Sequence, residues 1–543
     1  AAVMVVYGRA LGYEHLHAFD DNLNVINRPE VRDWWGATWR QRLLTPQLGY
    51  SVAVPTIFYA QAHWLFPEGF AHALHGLNVG LHLLNVGLVF ALAKRWGDDR
   101  VAVMAAAIWG LHPIQVESVA WLTNLKVVLF GTGSLLWLLG CEVYVDRARE
   151  GSAVWPVSLG LVVVFLLTLG SRPNAVVFPV LAGLVWWRRG GLDEGGRALW
   201  VAVAIVAAVS ALYVPLSIVE HTEFATMVDY DASSPVWETF RRMAGAIEIQ
   251  AGNFWWPDRL HPAYYMDPEY GLRQALPGVT IYVAAFAVSL FVLVGGRSRL
   301  GTPWLLAIVA YAPYTQIVSI PRLMADSYMY VPSVGLVVAG AGLGVRLWDG
   351  WRWPGERLSE AGRVLFPALA VLVVVSALSL RSFEQVGRWR NLRTLWAPTV
   401  QDEPRAWKPY MHVGWHYYHR GEFAEAAAVL DEGLPVFRAK RIYPDYMPVV
   451  YERVGEPRRA LNLAAESLLE GRLESVYKYR VLLDLLARHQ LPMTEGERLR
   501  GLLGRAVEEV VSDGRWMRDR TRRLGLARYF VDFEYWDLAR PFL

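Results

Sequence analysis

Hydrophobic stretches long enough to cross a bilayer recur along the chain as far as Arg381, and they constrain its fold more than any other feature. In lipid every backbone polar group must be satisfied within the protein, and a helix satisfies its own. The sequence therefore predicts an all-α fold, with a polytopic helical membrane domain at 1–381. The predicted spans are 73–93, 101–121, 127–145, 154–170, 173–187, 198–217, 277–295, 302–318, 329–346 and 364–381.

A partial helix at the start of the chain brings the number of predicted spans to about eleven. Its apolar run, residues 1–7, is too short to cross ~30 Å of hydrocarbon. We expect the N-terminal part of this helix to precede Ala1. The composition also favours a membrane protein, because 54% of the 543 residues are hydrophobic and the mean hydropathy is +0.24.

Several function classes are excluded by composition and motifs. The net charge is +3, and the basic residues fall mainly in short loops between apolar segments. Because they form no single patch, nucleic-acid binding is not expected. Cys141 is the only cysteine, which excludes an internal disulfide and a multi-cysteine metal site. The sequence contains no phosphate-cradling glycine loop, zinc-protease motif or nucleophile elbow, so ATP hydrolysis and zinc proteolysis are poor candidates.

The distribution of lysine and arginine predicts the orientation of the spans. Basic residues concentrate in alternate connections, at 94–100, 147–149, 188–197, 297–299 and 346–363. The positive-inside rule places those connections in the cytoplasm. The first loop, 13–72, and the long loop, 218–276, are then extracytoplasmic, as is everything after the last span. We expect an integral membrane protein of a bacterial inner membrane, in contact with membrane lipids.

Residues 382–543 predict a second, soluble domain in the periplasm, because they are charged and contain no run that could span a bilayer. Glycine, tyrosine and alanine follow the spacing of a tetratricopeptide repeat and partly recur 34 residues later. The matching residues are Gly414, Tyr417, Gly421 and Ala426, then Tyr451, Gly455 and Ala460. The alternative is an unrelated pair of helical hairpins. A repeat domain would form an α-solenoid whose concave surface binds a peptide or protein.

Two adjacent aspartates, Asp20 and Asp21, are the best candidates for chemistry. They lie in the first extracytoplasmic loop, at the mouth of the membrane domain. A carboxylate pair there can act as a general base or hold a cation, a divalent one included. The alternative is a helix cap followed by a solvated loop.

A narrow polar stripe marks the second span. Its four residues are offset by three, seven and ten positions, so they share one helix face; they are His75, Asn78, His82 and Asn85. Polar side chains are costly in lipid and must face protein or a water-filled cavity. They either hydrogen-bond to neighbouring helices or contact a substrate.

The third span contains His112, Pro113 and Glu117. We predict that Pro113 kinks the helix and that Glu117 lies near its outer end. An acid in a membrane helix is a functional candidate, and a neutral, hydrogen-bonded acid is the structural alternative.

Three basic residues lie at predicted outer ends of helices, against the positive-inside trend: Lys126, Arg172 and Arg322. Each needs an acidic partner or an anionic ligand, and a lipid-linked phosphate would lie at that depth. Glu117, Asp326 and lipid headgroups are the alternative partners. Aromatic residues of the long loop, Tyr264 and Trp255 among them, could stack on sugars or belong to an interfacial belt.

The order of these features resembles the transmembrane and tetratricopeptide-repeat proteins of the GT-C glycosyltransferase superfamily, which are related to the protein O-mannosyltransferases. The resemblance runs from Tyr7 to about Ala460. Its landmarks are Phe19-Asp20-Asp21, Ile26-Asn27-Arg28-Pro29, the polar stripe, Leu111-His112-Pro113, Glu117 to Trp121, Ser171-Arg172-Pro173, Met324 to Pro332, Trp389-Arg390 and Leu395-Trp396.

The resemblance implies transfer of a sugar from a polyprenyl-phosphate carrier to a hydroxyl acceptor, with inversion, at the extracytoplasmic face. Asp20 and Asp21 would supply the base, and Lys126, Arg172 and Arg322 would bind the donor phosphate. The repeats would select an acceptor protein. No cofactor is implied beyond the lipid-linked sugar.

The chain departs from the pattern of this family at several polar positions. Val127 stands where an acid is expected, and Ser327 where an arginine is expected. These losses indicate altered donor recognition or a second hypothesis, a catalytically inactive scaffold whose repeats dock a partner in a membrane or cell-envelope complex.

Overall fold

The computed structural model describes most of the chain in two compact units, Ala1–Asn391 and Leu392–Leu543. The boundary predicted after Arg381 falls inside a helix of the first unit. The described residues are 1–17, 21–44, 46–47, 50–190, 201, 203–213, 236–265, 271–295, 300–315, 322–350, 360–469, 476–489, 501, 503–508, 510–511, 520–533 and 535–543.

Among the described residues of the first unit, strands occur only in one short antiparallel hairpin, in which β1 (Pro46–Gln47) pairs with β2 (Tyr50–Ser51). Its helices are α1 (Ala2–Tyr7), α2 (Pro29–Arg32), α3 (Trp39–Leu44), α4 (Ala53–Leu65), α5 (Phe70–Trp96), α6 (Asp99–Leu111), α7 (Val116–Ala120), α8 (Leu125–Arg149), α9 (Trp155–Leu169), α10 (Phe178–Arg189), α11 (Val203–Tyr213), α12 (Val236–Trp255), α13 (Leu272–Val294), α14 (Gly301–Tyr311), α15 (Pro332–Gly350) and α16 (Glu360–Arg388).

Four described segments are long and apolar enough to cross a membrane, judged by length and composition. They are Phe70–Trp96, Leu122–Arg149, Arg273–Val294 and Leu365–Arg388. These overlap four of the predicted spans. Three further apolar helices are shorter, namely Ala2–Gly12, Trp155–Leu169 and Val203–Tyr213. The predicted number of about eleven spans stays a prediction.

The continuous span predicted at 101–121 is wrong, because the helix breaks before Pro113. Helix α6 ends at Leu111, and His112 is extended with φ −74° and ψ 131°. Proline disfavours the helical conformation in the residue before it, which explains this break. A 3₁₀ turn then runs from Pro113 to Gln115, and Glu117 lies on the separate short helix α7. The acid is therefore on a segment distinct from α6.

The stretch 218–276, predicted as a loop, contains the 20-residue helix α12. Met243, Ala244 and Ala246 of α12 are buried, whereas Phe240, one turn earlier, is exposed. The backbone of α13 at Gly278 lies so close to Ala244 that a Cβ atom there would overlap the Ala244 carbonyl. Phe240, Met243 and Ala244 follow helical spacing, a pattern that was present in the sequence.

Charged side chains join the ends of α5, α8 and α10 on the predicted cytoplasmic side. Glu142 is fully buried, and its Oε1 accepts hydrogen bonds from the Trp96 indole at 2.8 Å and from Arg188 Nη2 at 2.7 Å. One turn further along α8, Asp146 pairs with Arg95 and with Arg189. A buried carboxylate needs such partners, so these helix ends are tied together.

The second unit is built from helical hairpins. Its helices are α17 (Leu392–Asp402), α18 (Trp407–His419), α19 (Phe423–Lys440), α20 (Met447–Arg453), α21 (Pro457–Leu469), α22 (Val476–Arg488), α23 (Arg520–Asp532) and α24 (Trp536–Ala539). The first two hairpins have equivalent turns, with Gly421 at φ 74° and Gly455 at φ 87°. In the first turn Glu422 N donates to Tyr417 O, and in the second Glu456 N donates to Tyr451 O.

We expect Gly421→Ala and Gly455→Ala each to destabilise the second unit by about 1 kcal/mol, because a side chain is disfavoured in the left-handed region. For a unit of this size the loss lowers Tm by roughly 2–4 °C. The helical circular dichroism signal of the full chain in detergent measures this change. Gly504→Ala is the matched control, since a Cβ atom there meets nothing within 4 Å. An equal loss in all three variants would contradict the explanation.

Candidate active site

Asp21 is buried and hydrogen-bonded on both carboxylate oxygens. It is 1% exposed, although it comes from the first loop. Its Oδ2 accepts from Leu16 N at 2.9 Å, and its Oδ1 accepts from the Trp121 indole at 2.9 Å and from the Thr123 hydroxyl. Thr123 lies two residues after Trp121, in the turn that follows α7. Asp21 therefore anchors the first loop to this turn. Asp20 lies outside the described residues.

The buried Glu117 forms an ion pair with the partly exposed Arg322. Its Oε1 lies 2.9 Å from Arg322 Nη1, and the Glu117 side chain is 2% exposed. The Ser327 hydroxyl donates to Glu117 Oε1 at 3.1 Å, and the Ser327 backbone N–H donates to Oε2 at 3.3 Å. Arg322 also donates through Nη2 to Pro262 O at 2.6 Å. The acidic partner named as the alternative for Arg322 is thus present.

A second buried carboxylate, Asp326, lies beside this pair. Its Oδ1 accepts from the Tyr264 hydroxyl at 2.6 Å, and Asn253 Nδ2 lies 3.5 Å away. Burial and the neighbouring Glu117 carboxylate raise the pKa of Asp326 well above its usual range. Burial and Asp326 raise the pKa of Tyr264 as well. Glu117 and Asp326 thus lie together beside Arg322.

Trp121 connects Asp21 to this cluster. Its indole N–H donates to Asp21, and the Arg322 guanidinium lies 5.8 Å from its ring centroid. The ring stacks on Trp389, with centroids 5.7 Å apart and an interplanar angle of 24°. Asp21, one of the two predicted catalytic carboxylates, and Arg322, one of the predicted phosphate-binding cations, therefore both contact Trp121.

The other two predicted cations are also largely buried. Arg172 is 7% exposed and lies over the rings of Tyr314 and Tyr328, at 5.4 and 5.8 Å. The Tyr328 hydroxyl donates to the backbone carbonyl of Arg322, so Arg172 joins the same cluster through this tyrosine. Lys126 is 4% exposed in the first turn of α8.

The polar stripe of α5 makes hydrogen bonds between helices. His82 contacts the Tyr330 hydroxyl at 2.9 Å and Gly110 O at 3.0 Å, and Asn85 Nδ2 donates to Val128 O at 3.1 Å. Asn78 Nδ2 donates to Trp121 O at 3.2 Å, and His75 is buried beside Tyr13. These contacts match the helix-packing interpretation, and substrate contact by the stripe stays a prediction.

His112 has a structural position at the break in the third predicted span. Its Nδ1 accepts from Ile114 N at 3.1 Å, and its Nε2 lies 2.9 Å from Phe254 O. The ring stacks on Phe254 at 5.1 Å. His112 thus connects this turn to the end of α12. Within the described ranges, no group of three or more His, Cys, Asp or Glu residues is placed to hold a metal ion.

The sequence did not predict the roles of Tyr264, Asn253 and Ser327. Tyr264 was grouped with the loop aromatics, but it is hydrogen-bonded into the cluster, whereas Trp255 is 79% exposed. Asn253 faces the cluster from α12, a helix that was predicted as loop. The periodicity of α12 could have shown which face Asn253 occupies. Their partners, distant in sequence, could not be predicted.

No protein-family model matches the chain, and no curated protein matches it. Among solved structures, the chain is similar to ArnT from Cupriavidus metallidurans bound to undecaprenyl phosphate, with 15% identity and a TM-score of 0.36. It is similar to the apo state of the same protein with 17% identity and a TM-score of 0.35. In both cases the alignment covers 85% of this chain and 78% of the other. A likeness at this level defines neither function nor site residues.

We expect Glu117→Gln to cost about 2 kcal/mol of stability, because the amide leaves Arg322 without its carboxylate and a Ser327 donor unmatched. Thermal unfolding in detergent measures the loss. Glu422→Gln is the control, since its pair with Arg420 is exposed and should contribute less than about 1 kcal/mol. Similar losses in the two variants would argue against a buried, stabilising pair.

The raised pKa of Asp326 predicts a pH dependence of stability. The folded protein holds this proton more tightly than the unfolded chain, so the stabilisation is present at low pH. It is lost as the pH rises from about 4 towards the raised pKa. Asp326→Asn keeps an uncharged acceptor for Tyr264, so its free energy of unfolding should fall less over this interval.

Unfolding between about pH 4 and 8 tests the prediction. Asp258→Asn, at an exposed position, controls for the loss of one carboxylate. If Asp326→Asn follows the wild-type pH dependence, Asp326 does not carry this proton.

Proposed function

We propose that the chain is a GT-C-type membrane glycosyltransferase. It would transfer a sugar from a polyprenyl-phosphate-linked donor to a hydroxyl acceptor, on a protein, at the extracytoplasmic face of a bacterial inner membrane. One observation carries the proposal: Asp21 and Arg322, assigned to the acceptor and donor sides, both contact Trp121. A base and a phosphate-binding cation must be close together for such a transfer.

The proposed reaction needs a base and a cationic site. A carboxylate removes the proton from the acceptor hydroxyl as its oxygen attacks the anomeric carbon of the sugar. The bond from that carbon to the phosphate oxygen breaks, and the polyprenyl phosphate leaves with the electron pair. The charge that develops on the phosphate is stabilised by guanidinium or ammonium groups.

We assign different roles to the two aspartates. A carboxylate has about four lone-pair positions, and three donors already contact Asp21. Asp21 therefore suits the anchoring of the loop, and Asp20 is assigned to proton removal. We assign both to the same site, because they are adjacent in the sequence.

The donor phosphate is assigned to Arg322, with Arg172 and Lys126 as further cations. The Arg322 side chain is 28% exposed, and a guanidinium can bind a phosphate through two hydrogen bonds. Arg172 lies over Tyr328, and the Tyr328 hydroxyl donates a hydrogen bond to the Arg322 backbone carbonyl. These contacts support a shared anionic ligand for the two arginines.

The hairpins of the second unit support a tetratricopeptide-repeat domain. Tyr417 and Tyr451 accept equivalent turn hydrogen bonds, and they are 34 residues apart. Ala426 and Ala460 are both fully buried at equivalent positions. Small residues at these points let the two helices of a repeat pack closely. We propose that this unit binds the acceptor protein in the periplasm.

A catalytically inactive scaffold is the second candidate, and it has its own supporting observations. Glu117 and Pro262 both contact Arg322, and both donors of Ser327 contact Glu117. Val127, where the family pattern has an acid, is buried at 1% exposure. In this case the polar cluster would hold the fold, and the second unit would dock a partner in a membrane complex.

The aspartate variants test the enzyme hypothesis. We expect Asp20→Asn to lower sugar transfer at least about a hundredfold, because general-base catalysis contributes on that order, while thermal stability stays near wild type. Asp21→Asn should lower both, since one Asn side chain cannot accept all three hydrogen bonds. Transfer is measured with a panel of undecaprenyl-phosphate-linked hexoses and membrane protein acceptors.

Asp258→Asn, an exposed loop position, is the matched control for both variants. Wild-type protein that transfers no sugar from any donor, yet copurifies with a stable partner complex, would support the scaffold. Unchanged transfer in Asp20→Asn would remove that residue from catalysis.

A further inference from the structure

The Trp121 side chain contacts both Asp21 and Arg322. It is 3% exposed and follows the short helix α7. Its indole N–H donates to Asp21 Oδ1 at 2.9 Å, and its ring face lies below the Arg322 guanidinium. The two contacts use different parts of the side chain, so substitutions can separate them.

Trp121 is itself held from several sides. Its backbone carbonyl accepts from Asn78 Nδ2 at 3.2 Å and from Asn124 N at 3.0 Å. Its ring stacks on Trp389 with an interplanar angle of 24°. A side chain fixed in this way can set the positions of the groups it contacts.

We propose that Trp121 is a positioning residue that couples the acceptor side of the site to the donor side. Its N–H holds Asp21 on the acceptor side, while its ring holds Arg322 for the donor phosphate. This inference rests on the proposed glycosyltransferase function. Trp121 touches no reacting atom and acts through the two residues it positions.

Two substitutions separate these contacts. Trp121→Phe keeps an aromatic face below Arg322 and removes the donor to Asp21. Trp121→Leu removes both the donor and the aromatic face. The first therefore changes the acceptor side alone, and the second changes both sides.

For Trp121→Phe we expect kcat to fall about tenfold or more, because a hydrogen bond to a buried carboxylate is lost. Its Kd for undecaprenyl phosphate should stay within about twofold of wild type, since the contact between ring and cation is kept. For Trp121→Leu we expect the same fall in kcat and a Kd raised roughly threefold or more.

Trp137→Phe is the matched control. The Trp137 indole is fully buried and donates to Phe178 O at 3.0 Å, away from the site. This variant loses an indole hydrogen bond in the same way, so it reports the effect of destabilisation alone. It should keep kcat and Kd near the wild-type values.

Transfer kinetics with the undecaprenyl-phosphate-linked hexoses, and equilibrium binding of undecaprenyl phosphate, are measured on full-length protein in detergent below the Tm of every variant. A difference in Kd between Phe and Leu at equal kcat supports the inference. If both variants behave like Trp137→Phe, or if both change kcat and Kd in parallel, Trp121 is structural only. Wild-type protein without transfer activity would overturn the proposed function itself and this inference with it.

Discussion

The ion pair between the buried Glu117 and the partly exposed Arg322 is the interaction on which the polar cluster of the first unit depends. It joins residues 205 positions apart in the chain. The buried Glu117 carboxylate left without a partner would be strongly unfavourable, so it requires Arg322. Ser327 donates twice to the same carboxylate, and Arg322 reaches the carbonyl of Pro262. Helix α7, the segment at 322–329 and the turn after α12 are consequently held together.

The sequence predicted the elements of this site better than their arrangement. Hydropathy located α5, α8, α13 and α16, because a run of apolar residues long enough to span a bilayer is a local property. The periodicity of α5 placed its polar residues on one face, and in the structure that face meets neighbouring helices. Charge reasoning also identified Glu117 as an alternative partner for Arg322. Each of these predictions depends on a few neighbouring residues.

The remaining features depend on contacts that are distant in sequence. Pro113 is compatible with a kinked or a broken helix, and the break is stabilised where His112 contacts Ile114 N and Phe254 O. Tyr264 and Trp255 both suit an interfacial belt, but the partly buried Tyr264 donates a hydrogen bond to Asp326, 62 residues away. Local composition does not distinguish these outcomes. The aspartate pair shows the same limit, since the partners of Asp21 include residues about a hundred positions later.

The charge balance of the cluster connects its stability to its proposed chemistry. Two buried carboxylates lie beside one guanidinium, and the raised pKa of Asp326 means that this acid gives up its proton reluctantly. An uncharged Asp326 lets Glu117 and Arg322 form a neutral pair in a low-dielectric environment. A donor phosphate that binds Arg322 adds negative charge beside Glu117, so its binding competes with the pair that stabilises the fold. The cluster can therefore bind a lipid-linked donor only under one condition. The electrostatic stabilisation that the phosphate gains from Arg322 and the neighbouring Arg172 must exceed the stabilisation that Glu117 loses.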